Sequence, residues 1–225
     1  MPEKSAEPAY LNSIATAVPD YDMHEKFTAF APRLLKDEKH HRMIAPIAQR
    51  LQIEHRYSVL PPDAADDRLD RLGFYDPDHM PDTEKRMRYY QDNAFELAKK
   101  ALDQLDLKGI THVVVTSCTG FYAPGLDVEI IEHYGLSATA ERTMIGFMGC
   151  YAAINALRYA RHIVRSEDGA RVLILNLELC TLHLQACETL ADIIPFLLFA
   201  DGGAASIVSS DPSGLNLKSF KPCIL

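Results

Sequence analysis

The sequence predicts an α/β protein with a mostly parallel mixed sheet and helices on both faces. From residue 110 onward, short β-branched or apolar segments alternate with segments of helical length, a pattern typical of parallel sheets. The segment 171–177, Arg-Val-Leu-Ile-Leu-Asn-Leu, is almost entirely apolar. Such a strand is expected where both faces of a sheet are covered.

The first half of the chain is predicted to be mainly helical. It opens with a strand at 9–17, and the Pro- and Asp-rich segment 61–81 is predicted to be a loop. Apolar residues at helical spacing predict a long helix over 82–105, with Thr83 as its N-cap. Two shorter helices are predicted at 24–35 and 38–51, and an extended segment at 53–60.

The second half carries the alternation itself. Gly135 is predicted to end one of its helices. The predicted strands cover 110–116, 142–147, 171–177, 204–209 and 215–220, and the predicted helices cover 125–134, 150–165 and 190–199.

Composition narrows the class of protein. Of the 225 residues, 48% are hydrophobic and 24% charged, which is typical of a globular protein, and the net charge of -8 disfavours nucleic acid as a partner. No apolar run is long enough for a membrane span, and the N-terminus lacks the apolar segment of a signal peptide. We therefore expect no membrane partner. The five cysteines form no CxxC pair, so we expect free thiols and a cytoplasmic location.

No metal site is expected from local spacing. The histidines and cysteines show no zinc-binding pattern, and His40 and His41 are adjacent, which suits one ion poorly. The basic residues between Lys36 and Arg56 have two interpretations. They are either the solvated face of a helix or a landing site for a phosphorylated ligand.

The strongest candidate for chemistry is Cys150. It follows an apolar segment and a tight Met148-Gly149 turn, and it precedes an apolar helix. A strand would fix the position of this cysteine, glycine would allow a sharp turn, and the positive end of the helix would favour a thiolate. A nucleophile is therefore one interpretation, and a buried structural cysteine is the other.

Further candidates lie where other strands are predicted to end. Cys118 and Thr119 follow one strand, and Cys180 and His183 follow the all-apolar strand. Ligands in open α/β sheets bind beyond the carboxyl ends of the strands, so these residues are candidates to line a pocket. The alternatives are a strand-end turn with a buried thiol and an ordinary structural histidine.

Taken together, these segments resemble the N-terminal half of type III polyketide synthases, the chalcone and stilbene synthase family of the thiolase superfamily. The set is specific because of its order and spacing over residues 8–225. The matching segments are 53–57, 110–112, 118–120, 123–127, 149–153, 169–173 and 198–202.

The resemblance implies roles for individual residues. It makes Cys150 the cysteine that takes an acyl group from coenzyme A, and Phe199 the gatekeeper beside it. It assigns Cys118, Thr119, Cys180 and His183 to the substrate pocket, and Arg56 to the mouth of the coenzyme A tunnel. Cysteines at 118 and 180 resemble the bacterial members of the family.

The resemblance also implies an activity. Acyl-coenzyme A would load Cys150, and decarboxylative condensation with malonyl-coenzyme A would extend the chain, in a homodimer that needs no further cofactor. It implies a thiolase-like fold, the N-terminal half of an αβαβα layered architecture, over 1–225, and a His and an Asn in a C-terminal half that this sequence lacks. The alternatives are a ketoacyl-synthase-type condensing enzyme of fatty-acid synthesis and a non-catalytic, truncated paralogue or dimer partner.

Overall fold

The computed structural model describes residues 7–65, 67–76 and 79–221. They form two compact units, one made of residues up to 17, 94–177 and from 203 on, and the other of 18–93 and 178–202. The strands are β1 (Tyr10–Ala17), β2 (Tyr21–Asp22), β3 (Tyr57–Ser58), β4 (His112–Ser117), β5 (Glu141–Gly146), β6 (Arg171–Leu179), β7 (Asp201–Ser209) and β8 (Leu215–Asn216). The α-helices are α1 (His24–Leu34), α2 (His41–Arg50), α3 (Thr83–Leu102), α4 (Leu126–Tyr134), α5 (Ala152–Ser166) and α6 (Leu190–Leu198).

The first unit is built on a six-stranded mixed sheet in the order β5-β4-β6-β7-β1-β8. The strands β5, β4 and β6 run parallel, whereas β1 pairs antiparallel with both β7 and β8. The predicted mixed sheet is therefore confirmed. The two closing strands differ from expectation, because each pairs with β1 and β8 is only two residues long.

Both faces of the central strands are buried. Val113, Val114 and Val115 of β4 are each at most 1% exposed. Because side chains alternate across a strand, this requires a covering layer on each face. Helices α4 and α5 both pack on β4. On the α5 side, the core cluster contains Ala156, Ala160, Ile163 and Val164 of the helix and Val114, Val172 and Ile174 of the sheet.

The helix ends follow local sequence signals, with one correction. Gly135 ends α4 in the left-handed conformation at φ +59°, as predicted. The N-cap of α3 is Asp82 and not Thr83, because the Asp82 carboxylate accepts the amide N–H of Lys85 at 2.8 Å. Helix α5 begins at Ala152, two residues later than expected, because a 3-10 turn precedes it over Gly149–Tyr151.

The second unit is mainly helical. Helix α1 packs on α2 and on α6, and β2 pairs antiparallel with β3. A capping box between Thr189 and Asp192 begins α6. Among the residues that the structure describes, no helix has the length and apolar character that a membrane crossing requires.

Candidate active site

The first part of the site forms where β4 and β5 end. These strands are parallel, and Ser117 at the end of β4 is paired with Gly146 at the end of β5. Their carboxyl ends therefore lie at the same edge of the sheet, where ligands bind in open α/β folds. Cys118 follows directly after β4, and the turn that leads to Cys150 follows directly after β5.

That turn has two residues with positive φ. Gly149 has φ +65°, which glycine adopts without steric cost, as the sequence predicted for this turn. Phe147 has φ +58°, which is unusual for a bulky residue, and its side chain is 74% exposed. Backbone strain of this kind concentrates at functional sites, and here it lies three residues before Cys150.

Cys118 is linked to the residue that precedes Cys150. The amide N–H of Gly149 donates to Sγ of Cys118 at 3.2 Å. Cys150 comes next, within the 3-10 turn Gly149–Tyr151 that leads into the 15-residue helix α5. Cys150 is exposed, whereas Cys118 is half-buried. The structure therefore presents one thiol to solvent at the beginning of a helix and uses the other as support.

A small cavity lies beside the same strand ends. Its volume is about 150 Å³, and its lining includes Ser117, Phe121, Gly146 and Phe147. The rings of Phe121 and Phe147 meet edge to face with centroids 6.2 Å apart. Cys150 is not one of the lining residues, so this cavity borders the turn and not the cysteine itself.

The remaining pocket candidates belong to the second unit. Cys180 and His183 are the first and last residues of a 3-10 turn that follows β6, and both are half-buried. Between them, Thr181 is buried and held by Asp201. The carboxylate of Asp201 accepts the amide N–H of Thr181 at 2.8 Å and its hydroxyl at 2.7 Å.

Asp201 organises this turn and was not identified from the sequence. It also accepts the amide N–H of Val59 at 2.8 Å, and Thr181 in turn bonds Ser58 at 2.7 Å. Burial is the main influence on this carboxyl and raises its pKa to about 6, while the hydrogen bonds act in the opposite direction. The only advance signal was the Asp201-Gly202-Gly203 break after an apolar helix.

Phe199, the expected gate, is the C-cap of α6. Its backbone is extended at φ −84° and ψ 152°, its N–H donates to Pro195 O at 2.9 Å, and its side chain is half-exposed. An exposed apolar ring at a helix end is free to line a passage, and its role as a gate stays a prediction.

Arg56, the residue that the resemblance assigned to the tunnel mouth, is buried in a network of hydrogen bonds within the second unit. Only 1% of the residue is exposed, and its guanidinium donates to the carbonyl oxygen of Phe196. It also donates to His24 Nδ1 at 3.1 Å and lies 5.1 Å from the Phe27 ring centroid. Desolvation lowers its pKa to about 10, so it stays protonated at neutral pH. Its observed contacts hold α1 against α6, and a contact with coenzyme A remains a prediction.

The fourth described cysteine, Cys187, differs in character from Cys150. Cys187 is buried, and its backbone N–H donates to Leu34 O at 2.6 Å. Burial raises the pKa of the Cys187 thiol to about 11, so it stays protonated at neutral pH and is a poor nucleophile. Exposure and position single out Cys150 among the cysteines that the structure describes.

The predicted site residues thus fall into two groups. Cys118, Thr119 and Cys150 lie in the first unit, where a hydrogen bond from Gly149 to Cys118 joins the two strand-end loops. Arg56, Cys180, His183 and Phe199 lie in the second unit, where the Asp201 and Arg56 networks hold their backbones.

Solved structures with the same fold define the class of protein. The type III polyketide synthase domain of Steely1, a type I/III hybrid from Dictyostelium, matches 93% of this chain with a TM-score of 0.79 at 22% identity. A polyketide synthase from the brown alga Ectocarpus siliculosus also matches 93%, with a TM-score of 0.74 at 29% identity. The fold is therefore the thiolase-like fold of type III polyketide synthases.

Sequence comparison then gives the family. Residues 7–212 match the chalcone and stilbene synthases, N-terminal domain, and the chain belongs to this family. The alpha-pyrone synthesis polyketide synthase-like protein Pks18 of Mycobacterium tuberculosis is 36% identical over 131 residues, 56% of this chain. Bisdemethoxycurcumin synthase of Oryza sativa is 34% identical over 132 residues, 57% of this chain. These matches span 33% of each relative, and the chain covers 58% and 57% of the two solved chains.

Proposed function

We propose that this chain carries the acyl-loading cysteine of a type III polyketide synthase, and that Cys150 is this residue. The observation that carries the proposal is the exposed thiol of Cys150 in the turn between β5 and α5, supported by Cys118. Family membership supports the same role, because the motif around Cys150 is part of the matched segment.

The loading step is a thioester exchange. Sγ of Cys150, as the thiolate, attacks the carbonyl carbon of an acyl-coenzyme A, a new carbon–sulfur bond forms, and coenzyme A leaves as its thiolate. The positive end of the helix dipole of α5 favours negative charge at its first turn. An apolar gate at Phe199 would slow hydrolysis of the acyl-enzyme by limiting access of water.

In this proposal, extension of the acyl chain requires the whole enzyme. Malonyl-coenzyme A loses carbon dioxide, the resulting carbanion attacks the acyl carbonyl, and Cys150 is released as a thiolate. The resemblance implies that a His and an Asn outside this sequence assist that step. We therefore expect loading to depend on residues in this chain, and extension to depend also on those further groups.

We propose a second copy of the chain as partner of the exposed edge of the sheet. Strand β5 is the outer strand beside β4, and Met144, Phe147 and Met148 near it are at least 46% exposed. Tyr151 and Ile154 extend this apolar surface into α5. Exposed apolar side chains beside an edge strand favour association.

The oligomeric state tests the partner proposal. Met144→Glu should shift the molar mass measured by light scattering from dimer to monomer. Leu215→Glu is the matched control, because Leu215 is exposed on β8 at the other edge of the sheet. An unchanged dimer in the Met144 variant, or an equal effect of both changes, would contradict this interface.

Mass spectrometry tests the loading proposal. The protein incubated with an acyl-coenzyme A should gain one acyl mass, and Cys150→Ala should lose this gain. Cys187→Ala at a buried thiol outside the assigned site, with circular dichroism to check folding, is the control. In the whole enzyme, malonyl-coenzyme A is expected to be preferred as the extender over malonyl-acyl carrier protein. The reverse preference would favour a ketoacyl-synthase-type enzyme, and no acyl gain in the wild type would favour a non-catalytic paralogue.

A further inference from the structure

The amino ends of β4 and β5 bring together three side chains with metal-binding atoms. His112 begins β4, Glu141 begins β5, and the two are paired in the parallel register. Glu167, the C-cap of α5, completes the group. One donor atom from each lies within 4.8 Å of the others. This cluster is at the end of the strands opposite to Cys118 and Cys150, so it is separate from the candidate active site.

His112 is the observation that indicates a ligand. Its side chain is only 6% exposed, and its Nε2 atom has no hydrogen-bond partner among the residues that the structure describes. A buried polar atom without a partner is costly, and such atoms in native proteins commonly face an ion or a water. Here Nε2 is directed at the two carboxylates, with Glu167 at 3.4 Å and Glu141 at 3.7 Å.

These distances suit a shared ion better than direct hydrogen bonds. Charge-assisted N–H···O bonds are about 2.7–2.9 Å long, and both contacts exceed that range. Two donor atoms bound to one tetrahedral zinc ion are about 3.4 Å apart, given bond lengths of about 2.0–2.2 Å. The side chains of Glu141 and Glu167 are 71% and 50% exposed, so both are free to adjust around an ion.

The hydrogen bonds behind His112 favour the tautomer that binds a metal. Its Nδ1 atom lies 2.8 Å from Oγ1 of Thr111. That hydroxyl accepts the amide N–H of Arg171 at 2.9 Å and donates its proton to Arg171 O at 3.2 Å. Nδ1–H is then the donor to Thr111, and Nε2 keeps its lone pair. Metal-binding histidines are typically oriented in this way by the second ring nitrogen.

We propose that His112, Glu141 and Glu167 form a binding site for a divalent transition-metal ion, with Zn²⁺ as the favoured class. One imidazole and two carboxylates suit zinc, whereas Mg²⁺ and Ca²⁺ prefer oxygen ligands alone. The two carboxylates match the charge of the ion, and water would complete its coordination. The bound ion would link the start of β5 to the end of α5, the two elements that meet at Cys150.

Local spacing could not reveal this site. The three ligands are separated by 29 and 26 residues, and only the parallel pairing of β4 with β5 and the length of α5 bring them together. The site is independent of the proposed acyl loading. Its failure would leave the role of Cys150 unchanged.

Titration with Zn²⁺ tests the proposal, with binding followed by calorimetry and by the melting temperature. The wild type should bind one ion and melt at a higher temperature, and Mg²⁺ at the same concentration should have no such effect. Glu141→Gln and Glu167→Gln, both at exposed positions, should each weaken Zn²⁺ binding by about tenfold or more. His112→Gln should abolish it, and Glu132→Gln on the exposed face of α4 is the matched control.

Co²⁺ distinguishes this site from the thiols. The cobalt-loaded protein should show a visible spectrum without a thiolate charge-transfer band. A thiolate band, equal Zn²⁺ affinity in the two glutamine variants and the wild type, equal stabilisation by Mg²⁺, or no Zn²⁺ binding by the wild type would each overturn the proposal.

Discussion

The amide N–H of Gly149 donates to Sγ of Cys118 at 3.2 Å, so one strand-end cysteine supports the turn that presents the other. Ser117 and Gly146, the residues that end β4 and β5, are paired in register, which brings the two loops together. The sulfur of Cys118 thus has an observed structural role in addition to the pocket role that the resemblance implied.

Removing that sulfur should weaken the turn. Cys118→Ala leaves the Gly149 N–H without this acceptor, and the loss of one hydrogen bond is worth about 1 kcal/mol. If all of this ~1 kcal/mol is added to the activation free energy of acylation, loading of Cys150 should slow about fivefold. Cys118→Ser keeps an acceptor for the Gly149 N–H. It should retain most of the acylation rate, measured by quenching the reaction at set times. Equal rates for the alanine and serine variants would contradict a role for this hydrogen bond.

Gly149 should be needed for its backbone conformation. It has φ +65°, and an added Cβ would meet no atom within 4 Å, so the cost of Gly149→Ala is conformational. A left-handed conformation costs an L-residue about 1–2 kcal/mol, and chemical denaturation should show that loss. Gly146→Ala is the control, because its Cβ would meet only Ser117 O at 3.8 Å and its φ is ordinary. Equal stability of the two variants would show that the left-handed conformation is not what Gly149 provides.

Asp201 should make stability depend on pH. Its pKa in the folded protein is about 6, above the ordinary value of 3.8, because burial disfavours the charged form. The stabilisation that the protonated Asp201 carboxyl contributes is therefore fully present below pH 3.8. It is lost as the pH rises through about 6. The loss amounts to about 3 kcal/mol at 1.36 kcal/mol per pKa unit.

The comparison with Asp201→Asn isolates this group. The free energy of unfolding, measured by urea denaturation between pH 4 and 7, should fall more steeply in the wild type than in the variant. Other carboxyl groups contribute equally to both curves and cancel in the difference. Parallel curves would show that Asp201 does not titrate in this range.

Arg56 should act as a structural anchor of α1 and α6. Arg56→Lys keeps the charge but cannot donate to His24, Thr28 and Phe196 together. We expect a loss of about 3 kcal/mol in stability, since hydrogen bonds from charged groups are worth about 1.5–3 kcal/mol each. His55→Gln is the control, because the side chain of the neighbouring His55 is exposed and its Nδ1 atom lies 2.6 Å from Asp22 Oδ2. A Lys variant as stable as the wild type, but with a raised KM for acyl-coenzyme A, would instead favour the tunnel-mouth role.

The sequence predicted those features that depend on local patterns. Alternating apolar segments indicated β4, β5 and β6, and Gly149 before Cys150 indicated the sharp turn. The positive φ of Phe147 had no local signal, because a phenylalanine seldom adopts that conformation and only the surrounding loops hold it there.

Features that depend on distant contacts were not predicted. Arg56 looked like an exposed basic residue, yet its partners Phe196 and Thr28 are far away in sequence and bury it. Asp201 looked like part of a glycine-rich turn, whereas its acceptor role needs Val59 and Thr181 beside it. Sequence spacing reports neighbours along a helix or strand, and tertiary pairing decides the rest.

The proposed function depends on the sulfur atom of Cys150, and peptide mapping after brief exposure to an acyl-coenzyme A tests it most directly. We expect one acylated peptide, the one that contains Cys150, and no label on the peptide with the buried thiol of Cys187. An acyl group on any other cysteine, or one that persists in Cys150→Ala, would contradict the assignment.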